Sequence, residues 1–357
     1  MSDTANKAVE VRAGEELDMS RLEPFLREHV EGLGAQLTVK QFPSGHSNLT
    51  YLIEDGERGF VLRRPPHGAR IKTGHDMGRE WRFLSALHPI WPRVPEPIAM
   101  CEDDGVLGAP FYVMERVDGV ILRGARPRVE GLDEATMRIA CDALVRGLAE
   151  INSVDLDATG LADMGKPEGY VERQVTGWGK RWGKSKTDAI DGIDAAATWL
   201  TENTPGPQAP GLIHNDLKYD NVLFAPGDFS RITGVLDWEM ATIGDPLMDL
   251  GTTLAYWVEP EDGFVIQQMA FGPTAMPGNL DRQGVVDRYA ELTGRDTSDA
   301  LFYYVFGLFK VAVIGQQIYH RYKHGHTNDE RFGKLIFAVQ ALGEVAEKAM
   351  STGRLSG

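Results

Sequence analysis

Cysteine is nearly absent from this chain. Cys101 and Cys141 are the only two, and their spacing fits neither a metal site nor a dithiol redox centre. A disulfide scaffold is excluded, and the usage points to a reducing compartment, with the cytoplasm as the expected location. Positive charge is also short, with 37 basic against 52 acidic side chains and a net charge of -15. A chain of this balance gains no general attraction to nucleic acid or to an anionic membrane. No nucleic-acid or membrane partner is therefore expected. Net acidity suits a cationic substrate, but plain solubility explains it more often. Long apolar runs are missing too. The longest, Leu301 to Gly315, is interrupted by Lys310, so it reads as a buried helix rather than a membrane span. Met1 to Arg27 has no apolar core of the kind a secretory signal needs.

What is present is ordinary globular material, 42% apolar and 25% charged over 357 residues, enough for one large or two modest domains. Residues 1–18 read as a loose polar tail. Ser20 followed by Glu23 resembles a capping box ahead of a helix carrying Leu22, Phe25, Leu26 and Val30. Alternating Leu37 and Val39, then Leu49, Tyr51 and Ile53, then Phe60-Val61-Leu62 after the Asp55-Gly56 turn, predict an antiparallel meander. A helix from about His75 to Leu87 follows, then a proline-punctuated stretch and the buried strand Phe111-Tyr112-Val113-Met114. Beyond Gly119 the pattern is helical, with candidates at Asp133–Ile151, Glu168–Trp182, Asp188–Leu200, Gln283–Leu292, Ala300–Tyr322 and Asp329–Met350. One non-helical island, Leu212 to Asp237, interrupts them. The expected fold is α+β, with a small antiparallel-sheet lobe over 1–117 and a large helical lobe over 118–357.

The island carries the chemistry. In His214-Asn215-Asp216-Leu217-Lys218-Tyr219-Asp220-Asn221, an aspartate is followed five residues later by an asparagine. Phosphoryl transfer needs a carboxylate to orient and deprotonate the attacking hydroxyl, and a nearby oxygen ligand for Mg²⁺. Asp216 and Asn221 supply the two. The competing interpretation is an Asx-rich turn that only ties down its own backbone. Sixteen residues after Asn221, the strand Val235-Leu236 ends in Asp237-Trp238-Glu239. Asp237 is the expected second Mg²⁺ ligand, and Glu239 either touches a second metal or caps the next segment. Upstream, the Gly45-His46-Ser47-Asn48 loop places Ser47 and Asn48 as donors to ATP phosphates. Arg63 ends the third strand, where a cation meets the α- and β-phosphates. Glu80 on the next helix is its expected partner, although a surface ion pair would look the same in sequence. Met114 walls the adenine pocket, with Glu115 and Val117 offering backbone groups.

These residues resemble the aminoglycoside phosphotransferase and choline kinase superfamily of protein-kinase-like enzymes. Within it, the chain is most similar to the kinase-like domains associated with acyl-CoA dehydrogenases. The likeness runs from about Leu37 to Lys348. It rests on the Gly45–Thr50 loop, Phe60-Val61-Leu62-Arg63-Arg64-Pro65-Pro66, Gly78-Arg79-Glu80, the His214–Asn221 loop, Leu236-Asp237-Trp238-Glu239 and Gly244-Asp245-Pro246-Leu247-Met248-Asp249-Leu250. The resemblance implies a two-lobed protein-kinase-like fold with ATP and Mg²⁺ in its cleft, Asp216 as catalytic base, and Asn221 and Asp237 on the metal. It also implies a supporting place for His214 and makes Asp249 a support of the catalytic loop. Arg63 stands where the family usually has lysine. Lys218, two residues after Asp216, resembles the protein-kinase lysine that contacts the γ-phosphate.

Three functional classes compete. A protein kinase is disfavoured because only seven residues separate Asp237 from Asp245 and no A-P-E element follows. A nucleotide-binding pseudokinase that acts as a partner-binding module is disfavoured because Asp216, Asn221 and Asp237 are all present. A kinase of a small-molecule alcohol remains. An aminoglycoside-like or choline-like acceptor would use Glu168, Glu172, Asp281, Trp178 and Trp257 around its cationic group. A hydroxyacyl-CoA, suggested by the acyl-CoA dehydrogenase kinship, would instead use Trp178, Lys180, Arg181, Trp182 and Lys184 with the apolar stretch Gly263–Pro277. The other interpretation of Trp178 and Trp182 is core packing, since they lie one helical turn apart.

Overall fold

The computed structural model describes residues 7–43, 48–66 and 76–356. The chain divides into two compact units. The first comprises residues 1–121 with 223–226 and 232–241, and the second comprises 122–222, 227–231 and 242–357.

The first unit is built on a five-stranded antiparallel sheet of β1 (Thr38–Gln41), β2 (Leu49–Glu54), β3 (Gly59–Arg64), β4 (Pro97–Cys101) and β5 (Phe111–Glu115), in the order β1-β2-β3-β5-β4. The expected meander is there. β4 was hidden in the sequence by its flanking prolines, and proline at the first residue of a strand is tolerated. Period-two alternation divides the side chains between two faces. Tyr51, Ile53, Leu62, Phe111 and Val113 join Leu22 and Leu26 of helix Met19–His29 in one apolar cluster. Each such buried side chain stabilises the unit by about 1.5–3 kcal/mol. Arg63 pairs in register with Tyr112, and Val61 with Met114, so these four share the other face. Helix Met77–Leu87, capped by Asp76, buries Met77, Glu80, Phe83, Leu84 and Leu87.

Two local expectations fail in this unit. Asp18, not Ser20, caps the first helix, accepting from the Ser20 N–H at 3.1 Å. The described part of the supposed tail is tied down. Val9 exchanges two backbone hydrogen bonds of 2.8 Å with Gln41, and the Tyr51 hydroxyl donates to the Glu15 carbonyl at 2.7 Å.

In the second unit, helices Glu134–Asn152, Tyr170–Ser185, Asp191–Glu202, Pro246–Ala255, Arg282–Thr293, Ala300–Lys323 and Leu335–Thr352 surround a short antiparallel pair, Gly211–Ile213 with Thr242–Gly244. The helix expected over 329–350 is broken at Lys334 into Glu330–Gly333 and Leu335–Thr352. Ala300–Lys323 is long and apolar enough to cross a membrane by length and composition alone, yet 72% of its most apolar window is buried inside the protein. It is crossed closely by Pro246–Ala255. A Cβ on Gly251 would stand 2.1 Å from the Tyr303 carbonyl oxygen, and one on Gly307 would stand 2.2 Å from that of Gly251. Glycine at both positions lets the two backbones touch. That contact sets the depth at which Asp249 and Lys310 meet the loop after Ile213.

Candidate active site

The loop 214–221 leaves the short strand Gly211–Ile213 and is held from below by one carboxylate. Asp249 is wholly buried in helix Pro246–Ala255. Its Oδ2 accepts from the His214 N–H at 2.8 Å and its Oδ1 from the Asn215 N–H at 2.7 Å. Asn152 Nδ2 adds a third bond at 3.0 Å. Asn215 is bent into the left-handed region, φ 67°, which costs a non-glycine residue on the order of 1 kcal/mol. Lys310 Nζ donates to its carbonyl at 2.8 Å, so both polar groups of the strained peptide are engaged. His214, fully buried, offers Nδ1 to the Asp216 N–H at 3.3 Å.

This scaffold presents Asp216. Its Oδ2 accepts from Asn221 Nδ2 at 2.9 Å and is in contact with the Lys218 ammonium. Asn221 Nδ2 also donates to the Asp216 carbonyl at 2.8 Å. Asn221 Oδ1 therefore carries no hydrogen bond to the described residues, and such an oxygen is the kind of donor Mg²⁺ takes. Among the described residues no group of three or more His, Cys, Asp and Glu side chains forms a metal site. Magnesium in phosphoryl-transfer sites uses one or two protein oxygens with phosphates, and the Asn221 amide oxygen in the second unit and the Asp237 carboxylate in the first are each of that kind.

In the first unit, Arg63 gathers three carboxylates. Its Nη1 donates to Glu80 Oε1 at 2.5 Å, and its Nη2 donates to Asp237 Oδ1 at 3.0 Å and approaches Glu239 Oε2 at 3.5 Å. Arg63 is 8% exposed and Glu80 1%, so this is a buried cluster and not the surface pair that the sequence allowed. Burial opposes the charge of Arg63, but the adjacent Glu80, Asp237 and Glu239 carboxylates outweigh it and hold the guanidinium above its ordinary range. Burial likewise pushes the Glu80 carboxyl up, against the pull of Arg63. Glu239 Oε2 also accepts from Asn48 Nδ2 at 2.9 Å. Asp237, at φ 70°, is the only positive-φ residue besides Asn215 that is not glycine among the described residues. Both strained positions thus fall in the two segments singled out for phosphoryl transfer.

β5 ends as expected with Met114 buried and Glu115 exposed. The Glu115 N–H is spent on the Glu96 carbonyl at 2.8 Å. Ser47 lies outside the described residues.

Of the residues suggested for a substrate, Trp178 and Arg181 meet on one helix, and the tryptophans are buried. Trp178 and Trp182 are 7% and 4% exposed, and Trp182 Nε1 donates to Asp194 at 2.8 Å, so both are core. Lys180 and Arg181 are exposed, with the Arg181 guanidinium 4.4 Å from the Trp178 ring. Trp257 is buried and bonded to the Leu280 carbonyl at 2.9 Å, and Asp281 caps helix Arg282–Thr293. Three contributors escaped the sequence reading. Lys310 appeared there only as an interruption of an apolar helix, although a lone lysine on a buried helix face is itself a signal. Its ammonium is brought down to about 8, chiefly by burial. Tyr256, which flanks Lys218, carried no signal, and Phe271, which also flanks it, was read only as part of the apolar stretch Gly263–Pro277.

A model described as the phosphotransferase enzyme family matches residues 38–282. Rat (Rattus norvegicus) acyl-CoA dehydrogenase family member 11 is 33% identical over 96% of the chain, which spans only 44% of that relative. A putative aminoglycoside phosphotransferase from Ralstonia eutropha superposes with a TM-score of 0.81 at 31% identity, covering 94% of this chain and 99% of the other. Aminoglycoside phosphotransferase APH(4)-Ia, in ternary complex with AMP-PNP and hygromycin B, gives a TM-score of 0.58 at 18% identity, covering 92% and 98%. That last likeness is one of fold. The expected kinase-like α+β fold and the expected family are both borne out. With more than half of its length matched by the family model, the chain belongs to the phosphotransferase enzyme family.

Proposed function

We propose that the chain moves the γ-phosphate of ATP to a hydroxyl of a small molecule. The observation that carries the proposal is the loop 214–221, in which Asp216 is presented on a strained, fully bonded backbone with Asn221 and Lys218 at its carboxylate. Asp216 orients the acceptor hydroxyl and takes its proton as the new P–O bond forms. Asn221 and Asp237 would hold Mg²⁺, which would neutralise phosphate charge. Arg63, fixed by Glu80, meets the α- and β-phosphates. Lys218 meets the γ-phosphate. Binding of the ATP analogue AMP-PNP by the fold relative APH(4)-Ia supports ATP as the donor. Two free, buried cysteines suit work in the reducing cytoplasm.

Among acceptors, a hydroxyacyl-CoA stands ahead of an aminoglycoside-like or choline-like alcohol. The kinship with acyl-CoA dehydrogenase family member 11 supports that order. It also suggests a functional link to an acyl-CoA dehydrogenase. MgATP should raise the melting temperature, and Asp237→Ala should abolish that rise. Asp216→Asn should lower phosphoryl transfer about 10²–10⁴-fold with ATP binding nearly intact. A near-normal rate in Asp216→Asn would remove that residue from the mechanism. The absence of any shift with MgATP would move a pseudokinase to the front.

A further inference from the structure

The surroundings of Lys218 hold more than a phosphate contact requires. Its ammonium touches the Asp216 carboxylate and lies 4.8 Å from the centre of the Tyr256 ring and 5.6 Å from that of Phe271. The two rings meet edge to face at 5.3 Å. Lys218 and Asp216 are only 13% and 18% exposed in their side chains. The free space left beside them is a cavity of about 10 Å³ lined by Lys218, Tyr219, Tyr256, Trp257 and Phe271, room for a single water. A carboxylate with two aromatic faces around a positive nitrogen is the arrangement by which proteins recognise substituted ammonium groups. Here the positive nitrogen belongs to the chain itself.

We propose that Lys218 is a specificity-determining residue, an internal cation that occupies the acceptor subsite beside Asp216. The subsite rejects alcohols carrying an ammonium group near the hydroxyl. It accepts alcohols that bring a carboxylate or carbonyl oxygen to the lysine. This rests on the reading of Asp216 as the base, and it deepens that reading by naming the acceptor class. An incoming ammonium would have to displace Lys218 or stand beside it as a like charge. An incoming oxygen gains a charge-assisted hydrogen bond. Phe271, 41% exposed, leaves one aromatic face for the carbon chain of such an acceptor.

The test compares choline with 3-hydroxypropanoate, in which an ammonium nitrogen and a carboxylate carbon, respectively, stand two carbons from a primary hydroxyl. Binding is measured calorimetrically at fixed ionic strength on the full chain, with variants Lys218→Arg, Lys218→Ala and Lys218→Ala with Phe271→Ala. The unaltered chain and Lys218→Arg should leave choline unbound. Lys218→Ala should gain choline binding at least tenfold, and the added Phe271→Ala should remove that gain. Where Lys218→Ala does not fold, Lys218→Gln carries the same expectation. Choline binding by the unaltered chain as tight as by Lys218→Ala would overturn the proposal. So would a folded Lys218→Ala that gains none, or one that slows transfer to every acceptor equally with the charge preference unchanged, since a γ-phosphate contact alone would do that. The MgATP melting shift on the same samples separates the two readings. Its absence throughout refutes the phosphotransferase reading, while the choline series still decides the subsite.

Discussion

Asp249→Asn changes one atom and tests how the catalytic loop is held. The carboxylate serves three donors, the His214 and Asn215 N–H groups and Asn152 Nδ2, at 2.8, 2.7 and 3.0 Å, and the side chain is 0% exposed. An amide can keep only one oxygen there. The better orientation leaves the oxygen with His214 and Asn152 and turns the amide nitrogen towards the Asn215 N–H, donor against donor. A buried donor without a partner costs about 1–3 kcal/mol, and each remaining bond loses about 1 kcal/mol when its acceptor loses charge. Removing a buried charge returns part of this, so the expected net loss is about 3 kcal/mol. The loss falls where Asn215 already sits at φ 67°, so the loop should open locally before the unit unfolds. Urea unfolding followed by tryptophan fluorescence would give the stability, and amide exchange at Asn215 would report the local opening. A variant within about 0.5 kcal/mol of the unaltered chain, with Asn215 equally protected, would refute the account of Asp249 as the anchor of the loop.

Two further outcomes follow from the buried charges. Lys310 has an ordinary value of 10.5 and about 8 in the folded chain, set by burial against the nearby Asp216 and Asp249, with Lys218 and Arg181 adding to the drop. The folded state therefore releases its proton first, and the unaltered chain should gain stability relative to Lys310→Met as pH rises from 8 to 10.5, by at most about 3 kcal/mol. A flat difference across that window in denaturant titrations would contradict the burial of a charged lysine. Arg63→Met strands the Glu80 carboxylate and should destabilise the first unit by about 3–5 kcal/mol. Adding Glu80→Met should recover most of that loss, and failure to recover it would show that the pair is not the source.

The sequence by itself determined the reaction class. Asp216, Asn221 and Asp237 are residue types that phosphoryl transfer requires, and they lie close together in the chain, so their spacing was legible without coordinates. The five-stranded sheet was legible in four of its strands because period-two alternation and short apolar runs bounded by turn residues are local signals. β4 was not, because its prolines read as punctuation. Only the tertiary structure decided what holds the site. Lys310 is 95 residues from Asn215 in sequence and Asn152 is 97 from Asp249, and no local pattern encodes such pairs. It also decided that Arg63 and Glu80 form a buried pair and that Trp178 and Trp182 are core. Burial is a property of what folds over a residue, and a residue's own neighbours in sequence do not fix it. The ammonium of Lys218 between Tyr256 and Phe271 belongs to the same class. Three segments far apart in sequence supply one small space, and only their packing gives it a charge.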